Sequence, residues 1–148
     1  MTEERIKAEA KLREHHIGVT QPRIMILEYL MTHFTHPTVD TIYNDLVKDS
    51  PGLSRTTVYN ATQLLAQQGV IQSLCIDETH VNLDGNTTPH AHLLCRKCGR
   101  IIDLPLRGIA EGKASKTFMM DGNVVEEVHQ YYKGICKDCQ TAQDKDKA

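Results

Sequence analysis

Apolar residues recur at three- and four-residue spacing through the front of the chain, then give way to short alternating runs. Residues 5–16 are rich in Ala, Glu, Lys and Arg, with Ile6, Ala10 and Leu12 along one side. They predict a first helix that ends at Gly18. Thr20 is an N-cap for a second helix, with Pro22 in its first turn and Ile24, Leu27, Leu30 and Met31 as its apolar face. His36-Pro37 breaks the chain, because proline pushes the residue before it toward extended backbone. Thr38 caps a third helix running to Lys48, with Val39, Ile42, Tyr43, Leu46 and Val47 at helical spacing. Ser50-Pro51-Gly52 is a turn. Ser54 caps a fourth helix with Val58, Ala61, Leu64 and Leu65 inward, and Gly69 ends it.

The period then changes. Val70, Ile71, Leu74 and Ile76 predict a short strand, Asp77-Glu78-Thr79 a turn, and Val81 and Leu83 a returning strand. Helices followed by a β-hairpin predict a winged helix-turn-helix over residues 1–83, with the third and fourth helices as its core motif. Residues 84–89 are a run of turn formers and predict a hinge. Residues 90–148 form a second, smaller α/β domain in this reading. Residues 91–94 and 100–104 are strands around a first cysteine pair, 106–117 a weak helix, and 124–135 one or two strands leading to a second pair. The polar tail after Gln140 is expected to fray. The fold class is therefore α+β.

Composition adds bounds. Charged residues make up 24% of the 148 and apolar ones 40%, as in globular proteins. Met1 is followed by polar residues with no sustained apolar run, so neither a signal peptide nor a membrane span is expected, and a cytoplasmic protein is. The net charge of -2, with a slightly acidic front half, removes bulk electrostatics as an argument for nucleic-acid binding. Any DNA contact has to come from local clusters.

Four of the five cysteines fall into two Cys-x-x-Cys pairs, Cys95/Cys98 and Cys136/Cys139. Two pairs at this spacing suit a tetrahedral Zn2+, each tight turn aiming two sulfurs at one ion. The competing reading is a thioredoxin-like redox pair, but neither pair opens a helix after a strand. Cys75 reads as a small buried hydrophobe on the wing strand. His90-Ala91-His92 places two imidazoles on one face of a strand. With Asp103 on the next strand, Asp84 in the hinge and His36 at the break, they make a nitrogen and carboxylate set suited to Fe2+ or Mn2+ as well as Zn2+. The plainer alternative is a surface turn at His36 and an ordinary Asp-Gly turn at Asp84.

The fourth helix opens with Ser54-Arg55-Thr56-Thr57-Val58-Tyr59-Asn60, polar in its first turn. The start of a recognition helix is where side chains enter the major groove. Arg55 suits a guanine edge or a phosphate, Thr57 a phosphate or a thymine methyl, Tyr59 a thymine methyl, and Asn60 a base edge or the backbone. Lys11, Arg13 and Arg23 are candidates for phosphate contacts. A capped, solvent-facing helix start has the same composition.

In order along the chain, Gly18-Val19-Thr20-Gln21-Pro22-Arg23, His36-Pro37-Thr38, Thr56-Thr57-Val58-Tyr59-Asn60, the segment from His90 to Gly99 and the segment from Gly134 to Cys139 resemble the ferric uptake regulator family. Ala91, Asp103 and Asn60 make the chain most similar to its peroxide-sensing branch. The resemblance implies a homodimer, formed through the C-terminal domain, that grips a palindromic operator with its winged helices. It also implies a structural zinc on the four cysteines and a regulatory Fe2+ or Mn2+ on His36, Asp84, His90, His92 and Asp103. In that branch peroxide reacts with the bound Fe2+, a histidine ligand corresponding to His36 or His90 is oxidised, and the repressor leaves its DNA. The alternative within the family is an iron-, manganese- or zinc-responsive uptake regulator without peroxide sensing. A small metallohydrolase and a zinc-ribbon interaction module are the competing classes. The first lacks an acid or base beyond the proposed ligands, and the second leaves the helix-turn-helix unexplained.

Overall fold

The structure is a computed structural model that describes residues 2–108 and 117–140. The chain divides into two compact units, Met1–Thr87 and Thr88–Ala148. No helix among the described residues is long and apolar enough to cross a membrane.

The front unit holds four helices, α1 (Glu3–Glu14), α2 (Gln21–Thr32), α3 (Val39–Leu46) and α4 (Arg55–Gln67). Side-chain caps start three of them. Thr2 accepts from the Arg5 N–H, Thr38 from that of Thr41, and Ser54 from that of Thr57. Thr20 stands at the α2 N-cap, but its side chain makes no capping hydrogen bond. Helix α1 begins earlier than residue 5 because Thr2 caps it, and it ends where His16 turns left-handed (φ 57°). Its buried stripe is Ala8 and Leu12, one helical turn apart, while Ile6 is exposed. Leu12, Ile26, Leu27, Leu30, Ile42, Val58 and Leu65 make the fully buried centre of the core. Gly69, at φ 75°, closes α4 as a left-handed residue past the helix end.

The wing is β1 (Gln72–Leu74) antiparallel to β2 (Asn82–Asp84), with Leu74 and Leu83 buried. At its turn the Asp77 carboxylate accepts from both the backbone N–H (2.9 Å) and the hydroxyl (2.8 Å) of Thr79. Two sequence expectations change here. Asp84 belongs to β2, opposite Gln72. Cys75 follows β1 and is exposed, not a buried hydrophobe.

In the rear unit β3 (Ala91–Cys95) is central, antiparallel to β4 (Ile101–Leu104) and parallel to β7 (Tyr131–Gly134). A separate hairpin joins β5 (Phe118–Met120) to β6 (Asn123–Val125) through Asp121 (φ 50°) and Gly122 (φ 80°). Two positive φ values in succession give the two-residue loop that the twist of paired strands favours. Strand β5 was not foreseen. The helix expected over 106–117 and the frayed tail fall largely or wholly outside the described residues.

Candidate metal centres and nucleic-acid interface

Strand pairing assembles the cysteine cluster. Cys95 ends β3 directly opposite Gly134 at the end of β7, so the turns that follow both strands start side by side. The first turn closes with the Gly99 N–H donating to the Cys95 carbonyl at 2.9 Å, Gly99 being left-handed at φ 77°. The second closes with the Cys139 N–H donating to the Cys136 carbonyl at 3.1 Å. All four sulfurs lie within 4.8 Å of one another, and Cys98 and Cys136 are 3.9 Å apart. A tetrahedron with Zn–S bonds of about 2.3 Å has sulfurs about 3.8 Å apart. The spacing fits that ion.

Electrostatics point the same way. Backbone N–H groups of Cys136 (3.3 Å) and Cys98 (3.5 Å) aim at Cys95 Sγ and pull its pKa down to about 6. The neighbouring sulfurs of Cys136 and Cys98 push Cys139 up to about 12. Sulfurs this close are all thiolates only with a cation among them. Arg100 also stands beside the cluster, 3.8 Å from Cys136 Sγ and 2.9 Å from an oxygen of Asp138.

The histidines and aspartates gather within each unit. In the rear unit His92 and Asp103 are direct cross-strand partners. Asp103 Oδ1 lies 3.3 Å from His90 Nε2 and 3.4 Å from His92 Nε2, and the two imidazoles are 4.3 Å apart between centroids. His92 is buried and Asp103 exposed, so a carboxylate at the surface faces two ring nitrogens. His90 Nδ1 lies 2.6 Å from the Thr88 carbonyl, which orients its ring.

In the front unit β2 runs beside residues 36–38. The Leu83 N–H donates to the Pro37 carbonyl at 2.8 Å, and the Asn82 amide donates to the His36 carbonyl at 2.8 Å. This seats His36 Nε2 3.4 Å from Asp84 Oδ2, both side chains buried. His36 is left-handed at φ 57°, not extended as a residue before proline usually is. For a residue with a Cβ that conformation costs on the order of 1–3 kcal/mol and is found where surrounding contacts enforce it, often at functional positions. His36 is no surface turn.

The start of α4 lies open to solvent. Tyr59 is half exposed, and its hydroxyl accepts from the Gln63 amide at 2.8 Å. The Thr57 hydroxyl meets Ser54 Oγ at 2.8 Å within the cap. Thr57 and Asn60 line a cleft of about 250 Å3 with Thr20, Pro22 and Arg23. Arg23 donates to the Gly18 carbonyl at 2.7 Å. Arg55 and Tyr59 line a second cleft of about 410 Å3 that reaches the wing at Thr79, His80 and Val81. Lys11 is partly buried, which lowers its pKa, and Arg13 pairs with Glu9 at 3.7 Å.

The profile of the ferric uptake regulator family matches residues 14–133. The chain belongs to that family. Members are metal-responsive transcriptional regulators, not enzymes, and they bind operator DNA as dimers. A peroxide-responsive repressor of Staphylococcus aureus is 35% identical over 131 residues, 88% of each chain. The solved peroxide-sensing repressor of Streptococcus pyogenes is 29% identical, with a TM-score of 0.51 over 94% of this chain and 95% of that one. A zinc uptake regulator complexed with zinc and DNA has the same fold, with a TM-score of 0.68 at 20% identity over 94% and 96% of the two chains.

The candidate site residues singled out in the sequence fall as follows. The four cysteines converge, His90 and His92 meet Asp103, and His36 meets Asp84. Sequence reasoning missed Asp40 and Arg100. Asp40 pairs with Arg55 across 15 residues, and Arg100 approaches Cys136 across 36. Neither separation leaves a spacing signal. His129 sits between Glu127 (3.2 Å) and the Tyr131 hydroxyl (3.3 Å), and His15 turns back to the Lys11 carbonyl at 2.9 Å.

Proposed function

We propose that the chain is a cytoplasmic, metal-dependent repressor that binds palindromic operator DNA as a homodimer and responds to peroxide. The observation that carries this reading is the 35% identity to a peroxide-responsive repressor over 88% of both chains. The His/Asp pairs at the branch's motif positions support it.

Cys95, Cys98, Cys136 and Cys139 hold a structural Zn2+ in this reading. His36, Asp84, His90, His92 and Asp103 hold a regulatory Fe2+ or Mn2+. Bound Fe2+ supplies one-electron chemistry toward peroxide, which Mn2+ and thiolate-bound Zn2+ do not. The protein's part is to hold imidazole nitrogens and carboxylates facing one another within each unit, His36 with Asp84 and His90 and His92 with Asp103. His36 or His90 is the ligand that takes up oxygen in this reading, and a ligand that gains oxygen binds metal poorly. Arg55, Thr57, Tyr59 and Asn60 at the start of α4 read the major groove, with Arg23 on a phosphate.

Peptide mass spectrometry tests the sensing claim. After brief peroxide the Fe2+-loaded protein gains oxygen on the peptide containing His36 or His90, and the Mn2+-loaded protein does not. Oxidation confined to cysteines points to thiol sensing instead. No oxidation at all favours an iron-, manganese- or zinc-responsive uptake regulator.

A further inference from the structure

Arg55 is held from two directions by α3. Its guanidinium donates to the Asp40 carboxylate, and its central carbon lies 4.7 Å from the centroid of the Tyr43 ring. Asp40 and Tyr43 are three residues apart and share a face of α3. The Asp40 and Arg55 side chains are 74% and 58% exposed, so their pairing adds little to stability. Both line the 410 Å3 cleft between the α4 start and the wing.

A guanidinium carries five N–H donors in a rigid fork. One nitrogen is turned to Asp40 and one face is covered by the ring, which leaves an edge free to donate. An arginine already fixed in place loses less rotamer freedom on contact, and its fork matches the paired acceptors of guanine. An unrestrained arginine reaches any nearby phosphate. The Asp40 carboxylate also repels phosphates, and so penalises seating that lacks the matching base.

We infer that Asp40, with Tyr43, makes Arg55 a reader of guanine and not a phosphate contact, so that Asp40 is a specificity-determining residue that touches no base itself. The inference rests on the proposal that α4 reads DNA. Selection from a random duplex pool with Mn2+-loaded full-length protein tests both. Wild type enriches a half-site with one guanine that Arg55→Ala no longer requires. Asp40→Asn enriches the same half-site with the preference for that same guanine relaxed about tenfold, the scale of one bidentate base contact. It also binds an unselected duplex more tightly than wild type does. If Asp40→Asn selects as stringently as wild type, or relaxes a different position from Arg55→Ala, the inference is wrong while DNA reading by α4 stands. If the wild type enriches a sequence that Arg55→Ala also selects unchanged, Arg55 reads no base and the inference fails. A wild type that enriches nothing removes the DNA-reading proposal and this inference with it.

Discussion

Single residues carry the chemistry, and some announce it more plainly than others. The cysteine pairs were legible because two-residue spacing in duplicate has few other uses. Their convergence needed the parallel pairing of β3 with β7, which no local spacing encodes. His-x-His on a strand was legible too, and the register that puts Asp103 opposite His92 completed it. His36 and Asp84 each read as turn residues in isolation. The bonds from Asn82 and Leu83 to residues 36 and 37 bring them together in the fold. Cys136→Ser is expected to lose the zinc and unfold the rear unit, because a unit this small takes much of its stability from the ion. Zinc analysis with circular dichroism checks this, and a folded, zinc-free variant would refute it. His92→Ala removes a buried imidazole from the proposed regulatory set. It should retain one zinc per chain, measured by elemental analysis, while losing Mn2+ affinity by tenfold or more.

Elements were legible where helical periodicity was strong and less so in the rear unit. The four helices and the wing followed from caps, apolar spacing and turn formers. The α1 stripe was misassigned because Ile6, Ala8, Ala10 and Leu12 offer more than one apolar line, and packing on α2 selects Ala8 and Leu12. The β5–β6 hairpin was overlooked, although Asp121-Gly122 between apolar residues is its local signal. At Gly85, just past β2, a Cβ would lie 2.8 Å from the Leu30 carbonyl oxygen of α2. Gly85→Ala should therefore destabilise the front unit by about 1–3 kcal/mol, the usual cost of overpacking. Chemical denaturation measures it, and an unchanged midpoint would mean that β2 does not seat against α2. Tyr29 ties α2 to α3 by donating its hydroxyl to Asp45 at 2.5 Å. Burial and that bond raise its pKa from 10.0 to about 12. The neutral phenol is the form the fold favours, so this contribution is intact below pH 10 and fades as pH climbs toward 12. Tyr29→Phe should abolish that part of the alkaline loss, read from melting temperature against pH.

At the scale of the whole molecule, the two units divide the work. The front one presents a helix start beside a wing, and the rear one builds a thiolate cluster and a His/Asp face. The two metals call for different chemistry. Four sulfurs suit a redox-inert ion that holds strands together, and nitrogens with carboxylates suit an ion that exchanges and can react. The family followed from motifs spread over the length of the chain, and peroxide sensing is the finer proposal that the metal chemistry has to decide. The most direct measurement is operator affinity of the Fe2+-loaded and Mn2+-loaded protein before and after brief peroxide. The account predicts that both bind beforehand and that only the Fe2+ form loses its affinity afterwards. Identical responses from the two forms would contradict it.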